Sequence, residues 1–286
     1  MTGNTTLEAG TAQQLEELAR DIRVSIVSML ANAASGHSAG PLGMADLMAV
    51  LYGRVLRHHP EDPQWAERDI FLLSNGHTAP VLYAAMAHTG YFPVEELNTL
   101  RRLGTRLQGH PERISLPGIE STSGPLGEGL SQGAGMAQVF RDLDHNLDRW
   151  VYVMMGDGEL DEGNVWEAAM YAAKYRLDHL IGIVDRNFIQ IDGSTEDVMP
   201  LGNLADKWRA FGWHTVDIDG NDIGEILKAI DECKAEVGRP SVIIAHTVPG
   251  KGVPFMEGDY RWHGKPPTAD EAAVACAALN GKEAVS

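Results

Sequence analysis

Cysteine and positive charge are both scarce in this chain. It contains two cysteines, Cys233 and Cys276, and 23 lysines and arginines against 40 aspartates and glutamates. Two cysteines are too few for a disulfide framework or a zinc site built on cysteine pairs. A net charge of −17 argues against nucleic acid or an anionic membrane surface as a partner, because either would need a basic stripe.

Long apolar segments are missing as well. The first 20 residues lack the apolar stretch of a signal peptide, and no run elsewhere reaches the length of a membrane span. We therefore expect a cytoplasmic protein. There is also no Pro/Ser-rich linker and no internal repeat, so 286 residues with 44% hydrophobic content predict a single α/β domain with a large core.

Apolar runs alternate with segments of helical periodicity. The pattern predicts strands at 69–73, 150–155, 179–184, 213–218 and 241–247 and helices at 13–34, 41–56, 79–88, 128–143, 165–173, 203–211 and 222–237. Such alternation is typical of a doubly wound, mostly parallel sheet with helices on both faces. The segment 101–129 is rich in Gly and Pro and has no regular pattern, and loops of that length in a compact domain are usually functional.

Two successive strands end in small oxygen-bearing side chains. Asp157 lies between Gly156 and Gly158 after one strand, and Asn187 follows the next. Because a helix joins the two strands, they should pair in parallel and bring both residues to one carboxyl edge, where open α/β sheets bind ligands. A carboxylate and an amide oxygen suit Mg²⁺, and the start of the following helix would offer free amide donors to an anion.

These residues resemble the thiamine-diphosphate fingerprint. The stretch from Gly158 to Gly193, "GELDEGNVWEAAMYAAKYRLDHLIGIVDRNFIQIDG", is similar to transketolases in particular. The resemblance implies a domain at 13–267 that binds the diphosphate end of thiamine diphosphate, with a flexible N-terminus at 1–12 and a C-terminal helix and tail at 268–286. It further implies that Asp157, Asn187 and the backbone carbonyl of Ile189 bind Mg²⁺, with Ca²⁺ or Mn²⁺ as substitutes.

Five histidines lie in loops or at a strand end, and small residues flank four of them, which would let a ligand approach closely: His37, His77, His110, His246 and His263. In transketolases the positions that match all of these except His246 line the channel to the reactive ring. The resemblance thus implies three catalytic residues, namely His37, His110 and His263, of which the last two are favoured for proton transfer. The cofactor contacts that it implies are His77, Gly124, Leu126, Gly156, Asp157, Gly158, Asn187 and His263.

The resemblance extends to only the first part of a transketolase. It implies the amino-terminal subunit of a split enzyme that moves a two-carbon ketol unit from a ketose phosphate or related sugar to an aldose. A C-terminal partner would then contribute the pyrimidine-binding domain and the glutamate that activates the cofactor, in an α₂β₂ heterotetramer. Glu162 and Glu167 would lie near the interface between subunits.

Two alternatives remain at this point. The alpha subunit of a thiamine-dependent 2-oxo-acid dehydrogenase has a similar fingerprint, although the histidine series and "GELDEGNVWEAA" favour a transketolase. A noncatalytic Mg²⁺-nucleotide-binding module is the other, and the sequence lacks the P-loop expected of it. Ser38 and Glu128 stand where proline and glutamine are common in transketolases, which leaves the donor sugar open.

Overall fold

The computed structural model describes residues 9–146 and 148–281. The strands are β1 Ile70–Leu73, β2 Val151–Gly156, β3 Leu180–Arg186, β4 Ile189–Gln190, β5 Gly193–Ser194, β6 His214–Asp219 and β7 Ser241–His246. The α-helices are α1 Ala9–Ala33, α2 Ala39–Gly43, α3 Ala45–Val50, α4 Ala79–His88, α5 Gly129–Asp142, α6 Gly163–Lys174, α7 Thr195–Val198, α8 Leu204–Ala210, α9 Ile223–Ala235 and α10 Ala269–Leu279.

Five strands form the main sheet, in the order β1-β2-β3-β7-β6, and each neighbouring pair is parallel. The prediction of a parallel sheet is therefore confirmed. In the pairing of β2 with β3, Gly156 lies opposite Asp185, so both strands end at the same level. This register brings the residues that follow the two strands to a common edge.

Helices cover both faces of the sheet, which confirms the doubly wound architecture. Tyr152 and Met154 of β2 pack in a core with α1, α3, α4 and α9, whereas Val151 and Val153 pack in a second core with α5, α6 and α8. Successive side chains of β2 thus point to opposite faces of the sheet, and both faces are covered by apolar residues. That arrangement explains why β2 is apolar along its length, instead of alternating between apolar and polar residues.

The structure departs from the sequence pattern in two places. The predicted helix at 41–56 begins at Ala39 and is broken at Met44 into α2 and α3, which a π-helical turn at Leu51–Val55 follows. Gly43 at the break packs against a neighbouring loop, since a Cβ there would lie 2.9 Å from the Val248 carbonyl oxygen. The β4–β5 hairpin and α7 were not predicted, because elements of two to four residues show no periodicity.

The chain ends were predicted as separate segments. Most of 1–12 and the last five residues, 282–286, lie outside the described residues. The predicted C-terminal helix is present as α10, where Thr268 and Glu271 form a capping box, and its Ala272 and Ala275 are buried in the core beside α1. The domain boundaries stay a prediction. Across residues 9–146 and 148–281, no helix combines the length and apolar character needed to cross a bilayer.

Candidate cofactor and substrate site

Asp157 connects the carboxyl ends of β2 and β3. Its Oδ1 accepts a hydrogen bond from the Gly158 amide at 2.8 Å, and its Oδ2 accepts bonds from the Phe188 amide at 2.8 Å and from Arg186 Nη1 at 3.0 Å. The side chain is buried, and desolvation raises its pKa even though Arg186 and the two amides act to lower it. Phe188 has a left-handed backbone, with φ of 62°, which is an uncommon conformation for a bulky residue.

Asn187 is held in one orientation by its neighbours. Its Nδ2 donates to Asp185 Oδ2 at 2.6 Å, and its Oδ1 accepts from the Ile189 amide at 3.0 Å. Asp185 also accepts a hydrogen bond from the Thr247 hydroxyl. The pKa of Asp185 is raised to about 7, chiefly by burial and also by the nearby charge of Asp157, although the hydrogen bonds from Thr247 and Asn187 act to lower it. Two acidic side chains and one amide are therefore packed together at the strand ends.

Arg186 is the buried cation of this cluster, and it was not predicted from the sequence. Besides Asp157 it donates to Thr195 Oγ1 at 3.0 Å and to the Glu196 carboxylate, and its guanidinium lies 4.0 Å from the centre of the Phe188 ring. A buried carboxylate needs such compensation. The available signal was an arginine between Asp185 and Asn187, directly after an apolar run.

Three of the predicted histidines form a tight group opposite the strand ends. The ring centres of His37 and His77 are 4.8 Å apart, and those of His77 and His263 are 5.2 Å apart. The ring centres of His37 and His263 are separated by 5.5 Å. His110 lies at the more exposed margin, where a Cβ on Gly124 would be 4.0 Å from its ring.

The pKa values of all four histidines are lowered. Burial is the first cause in each case, and it lowers the pKa of His37 to about 4 and that of His77 to about 3 with a smaller contribution from neighbouring imidazoles. The pKa of His110 is lowered by burial and then by Arg101, and that of His263 by burial. Near neutral pH these side chains are consequently neutral imidazoles, each with one donor and one acceptor nitrogen.

A cavity of about 340 Å³ lies between the strand ends and the histidines. The structure brings all eleven predicted site residues to its wall: His37, His77, His110, Gly124, Leu126, Gly156, Asp157, Gly158, Asn187, Ile189 and His263. The wall also contains residues that were not predicted, among them Asn75, Glu159, Asp185, Gln190 and Ile191. Asn75 could have been found by the argument used for Asn187, because it follows the end of β1.

The amides nearest the cavity are paired within the chain, whereas the free amides expected at the start of the following helix stay a prediction. The amides of Gly156 and Gly127 donate to Glu159 at 2.9 Å and 2.8 Å, and that of Gly158 donates to Asp157. Helix α6 begins only at Gly163. The physical reason for this pairing is the burial of Glu159, because the residue is 2% exposed and its carboxylate needs hydrogen-bond donors from within the chain.

Glu159 joins three segments around the cavity. In addition to the two amides, it accepts a hydrogen bond from the Ser74 hydroxyl, which in turn accepts one from the Gly129 amide at 3.0 Å. The end of β1, the loop before α5 and the end of β2 are thereby fixed together. Sequence reasoning missed this role because an acidic residue in a turn usually faces solvent.

The other predicted features lie outside the cavity wall. His246 shares a hydrogen bond with Asp217 at 2.7 Å and is absent from the wall, as expected. Glu162 and Glu167 are exposed at the start and on the outer face of α6. No group of three or more His, Cys, Asp or Glu side chains within the described ranges could hold a metal. The predicted metal site is of another kind, since it combines one carboxylate, one amide and one carbonyl.

Comparison with known proteins gives a consistent result. The family model described as "Transketolase, thiamine diphosphate binding domain" matches residues 14–283. The 6-deoxy-6-sulfo-D-fructose transketolase subunit of Clostridium sp. (strain MSTE9) is 45% identical over 263 residues, which cover 91% of this chain and 95% of that subunit. An apulose-4-phosphate transketolase subunit of Phocaeicola vulgatus is 39% identical over 259 residues, with 91% of each chain covered.

Longer transketolases match over part of their length. Transketolase 2 of Escherichia coli (strain K12) is 41% identical over 270 residues, which are 91% of this chain and 40% of that enzyme. The structure of transketolase from Leishmania mexicana superimposes with a TM-score of 0.87 at 35% identity, over 95% of this chain and 42% of that chain. The chain thus spans nearly all of the two subunit relatives and about two fifths of the longer enzymes.

Proposed function

Since the chain belongs to the transketolase family and contains its thiamine-diphosphate-binding domain, we propose that it is the amino-terminal subunit of a two-chain transketolase. In this proposal the assembled enzyme transfers a two-carbon ketol unit from a ketose with a terminal phosphate or sulfonate to an aldose. The observation that supports it most directly is the cavity whose wall contains every predicted site residue. The names of the two subunit relatives, which refer to a sulfonated and a phosphorylated sugar, motivate the choice of donor class.

The comparisons argue against both alternative functions that the sequence left open. Each relative and each solved structure described above is a transketolase, which speaks against the alpha subunit of a 2-oxo-acid dehydrogenase. A nucleotide-binding module is disfavoured by the same comparisons. In addition, binding of Mg²⁺ and a nucleotide does not require a group of neutral histidines on the wall of the cavity.

The residues present fit the cofactor. Several buried polar atoms of the cavity wall have no hydrogen-bond partner within the described residues: His37 Nδ1, Asn75 Oδ1, Gln190 Nε2 and His263 Nδ1. Buried polar atoms are normally paired, so these atoms favour a polar ligand in the cavity. Asp157 Oδ1 and Asn187 Oδ1 each accept only one internal bond and keep a lone pair, with which they would bind Mg²⁺ together with the Ile189 carbonyl.

Thiamine diphosphate supplies the nucleophile and the electron sink for breaking a carbon–carbon bond beside a carbonyl. The contribution of the chain is to bind and orient the sugar and to move protons. His37, His77 and His263 are close enough to contact neighbouring oxygens of one sugar, and as neutral imidazoles they can donate to a carbonyl and accept from a hydroxyl. His110, at the exposed margin, would exchange protons with solvent.

A second chain would complete the site. We assign it the pyrimidine-binding domain and the activating glutamate, in an α₂β₂ assembly with twofold symmetry. The outer face of α6, with exposed Glu162, Glu167, Met170 and Tyr171, is the surface proposed to face another subunit. Burial of the two apolar residues there would contribute to association.

The test is co-expression of this chain with a C-terminal transketolase subunit, followed by cofactor titration and assays with phosphorylated and sulfonated ketoses. Asp157→Asn keeps an acceptor for the Phe188 amide and removes the charge, so it should abolish Mg²⁺-dependent binding in calorimetry. Unchanged affinity in this variant would refute the metal assignment. Two-carbon transfer by the 286-residue chain without any partner would refute the split enzyme.

The catalytic histidines can be tested in the same complex. His110→Ala and His263→Ala should keep cofactor affinity and lower turnover by roughly 10²-fold, which is the usual effect of losing one acid-base or polarising group. His246→Ala is the matched control, because His246 lies outside the cavity wall. Normal kcat and KM in both cavity variants would show that the two histidines have other roles.

A further inference from the structure

Arg101 connects the loops that contain two of the four cavity histidines. Its Nη1 donates a hydrogen bond to Ser35 Oγ at 2.9 Å, two residues before His37. Its Nη2 donates to the carbonyl oxygen of Gly109 at 3.3 Å, immediately before His110. A single guanidinium therefore links two loops that are distant in sequence and meet at the cavity.

The local chain conformation is adapted to this side chain. Arg101 has a left-handed backbone, with φ of 59°, and its amide donates to the Leu107 carbonyl at 3.0 Å, which closes the 101–107 turn. A Cβ on Gly109 would lie 3.0 Å from both Cζ and Nε of Arg101. Any side chain at position 109 would therefore crowd the guanidinium. Strained backbone at a non-glycine residue is often associated with functional sites.

The charge of Arg101 acts directly on the two histidines. Both of its acceptors, a hydroxyl and a carbonyl, are neutral, so its positive charge stays uncompensated by them. After burial, and for His37 also after the charge of His263, Arg101 is a further cause of the lowered pKa values of His37 and His110. The other titratable groups facing His37 are His77, His263 and His110. Tyr83, another neighbour of Arg101, stays protonated because burial raises its pKa.

We propose that Arg101 is a positioning residue that fixes the His37 and His110 loops relative to each other, and that its charge disfavours protonation of both imidazoles. Any effect of Arg101 on catalysis rests on the function proposed above. The connection between the two loops does not depend on that function. A protonated His37 or His110 could no longer accept a hydrogen bond from a sugar hydroxyl. Arg101 would thus act together with burial to preserve the acceptor form of both residues when the pH falls below neutrality.

The test separates charge from geometry with two substitutions. Arg101→Asn removes the charge and suits the left-handed backbone, which Asn tolerates well. Arg101→Lys keeps the charge and loses the planar fork that spans both loops. Arg102→Asn is the matched control, because the adjacent Arg102 is exposed. The measurements are NMR titration of ¹³C-labelled histidines and hydrogen exchange of segments 35–38 and 108–111 in the full chain.

Arg101→Asn should raise the titration midpoints of His37 and His110 and increase exchange in both segments by roughly tenfold, as expected for loss of a charge-assisted bond. Arg101→Lys should leave the midpoints nearly unchanged and still increase exchange, and Arg102→Asn should change neither. Unchanged midpoints in Arg101→Asn would overturn the charge effect, and unchanged exchange in both Arg101 variants would overturn the connection between the loops. If Arg101→Asn does not fold, Arg101→Gly removes the same charge without backbone strain. No measurement requires catalysis, so failure here is distinct from failure of the proposed function.

Discussion

At the scale of single residues, the carboxylate of Asp157 has three roles in the structure. It joins two strand ends, compensates the buried Arg186 and faces the cavity. The sequence identified Asp157 from its glycine neighbours and its place after a strand. It could not identify Arg186 as the partner, because the pairing depends on how far β3 extends before the chain turns. The role of Asp157 as a metal ligand stays a prediction.

The pair of Asp157 and Arg186 yields a stability prediction. Asp157→Ala should lower the free energy of unfolding by about 3 to 5 kcal/mol, because it leaves part of the charge of a buried guanidinium uncompensated. The double variant Asp157→Ala/Arg186→Met should recover part of that loss. Urea denaturation of the three proteins provides the measurement. A double variant less stable than Asp157→Ala alone would contradict the assignment of the loss to the unpaired charge.

Buried histidines predict how stability depends on pH. The pKa of His77 is about 3 in the folded chain against an ordinary value of 6.5, so the unfolded chain binds the proton first as the pH falls. The contribution of this group is fully present above pH 6.5 and decreases as the pH is lowered towards about 3. His77→Gln should therefore lose less stability than the parent between pH 6.5 and pH 4. Denaturation curves with parallel pH dependence would contradict this prediction.

At the scale of secondary structure, periodicity was sufficient for the long elements and failed for the irregular ones. The five strands of the main sheet and the helices α4, α5 and α9 follow from apolar patterns of adequate length. The break at Met44 depends on a contact with the Val248 loop, and the buried state of Glu159 depends on donors from Ser74 and Gly127. Such contacts between remote segments have no local sequence signal. Eleven residues of the cavity wall were consequently predictable, whereas Glu159, Arg186 and the hydrogen bonds of the site were not.

The Glu159 network predicts coupling between the loops around the cavity. Glu159→Gln introduces a donor where three donors already converge, so at least one bond is lost, at a cost of about 1 to 3 kcal/mol. We expect weaker cofactor binding and faster hydrogen exchange in segment 123–128. Asp161→Asn is the control, since Asp161 is exposed on the same turn. Equal cofactor affinity and equal exchange in Glu159→Gln and the parent would argue against this coupling.

At the scale of the whole molecule, exposed apolar side chains indicate where another subunit would bind. The chain spans about two fifths of the longer transketolases, and its cavity is bounded by its own loops and strand ends. The exposed apolar side chains on the outer surface of the paired helices α5 and α6 are Val139, Met170 and Tyr171, with 41%, 54% and 40% of their surface accessible. Apolar groups that lie together on a surface often mark an interface.

That surface leads to a prediction about assembly. Met170→Glu should weaken formation of the proposed α₂β₂ complex by roughly 10²-fold, because it places a charge in the apolar centre of the proposed interface. Folding should be unaffected, since Met170 is 54% exposed in the isolated chain. Val237→Glu is the control, because Val237 is 80% exposed and lies in the segment after α9 and not on α5 or α6. Native mass spectrometry of each variant mixed with the partner subunit measures the effect. If Met170→Glu assembles as tightly as Val237→Glu, the interface lies on another face, and the acidic residues Glu162 and Glu167 are an ordinary solvated surface.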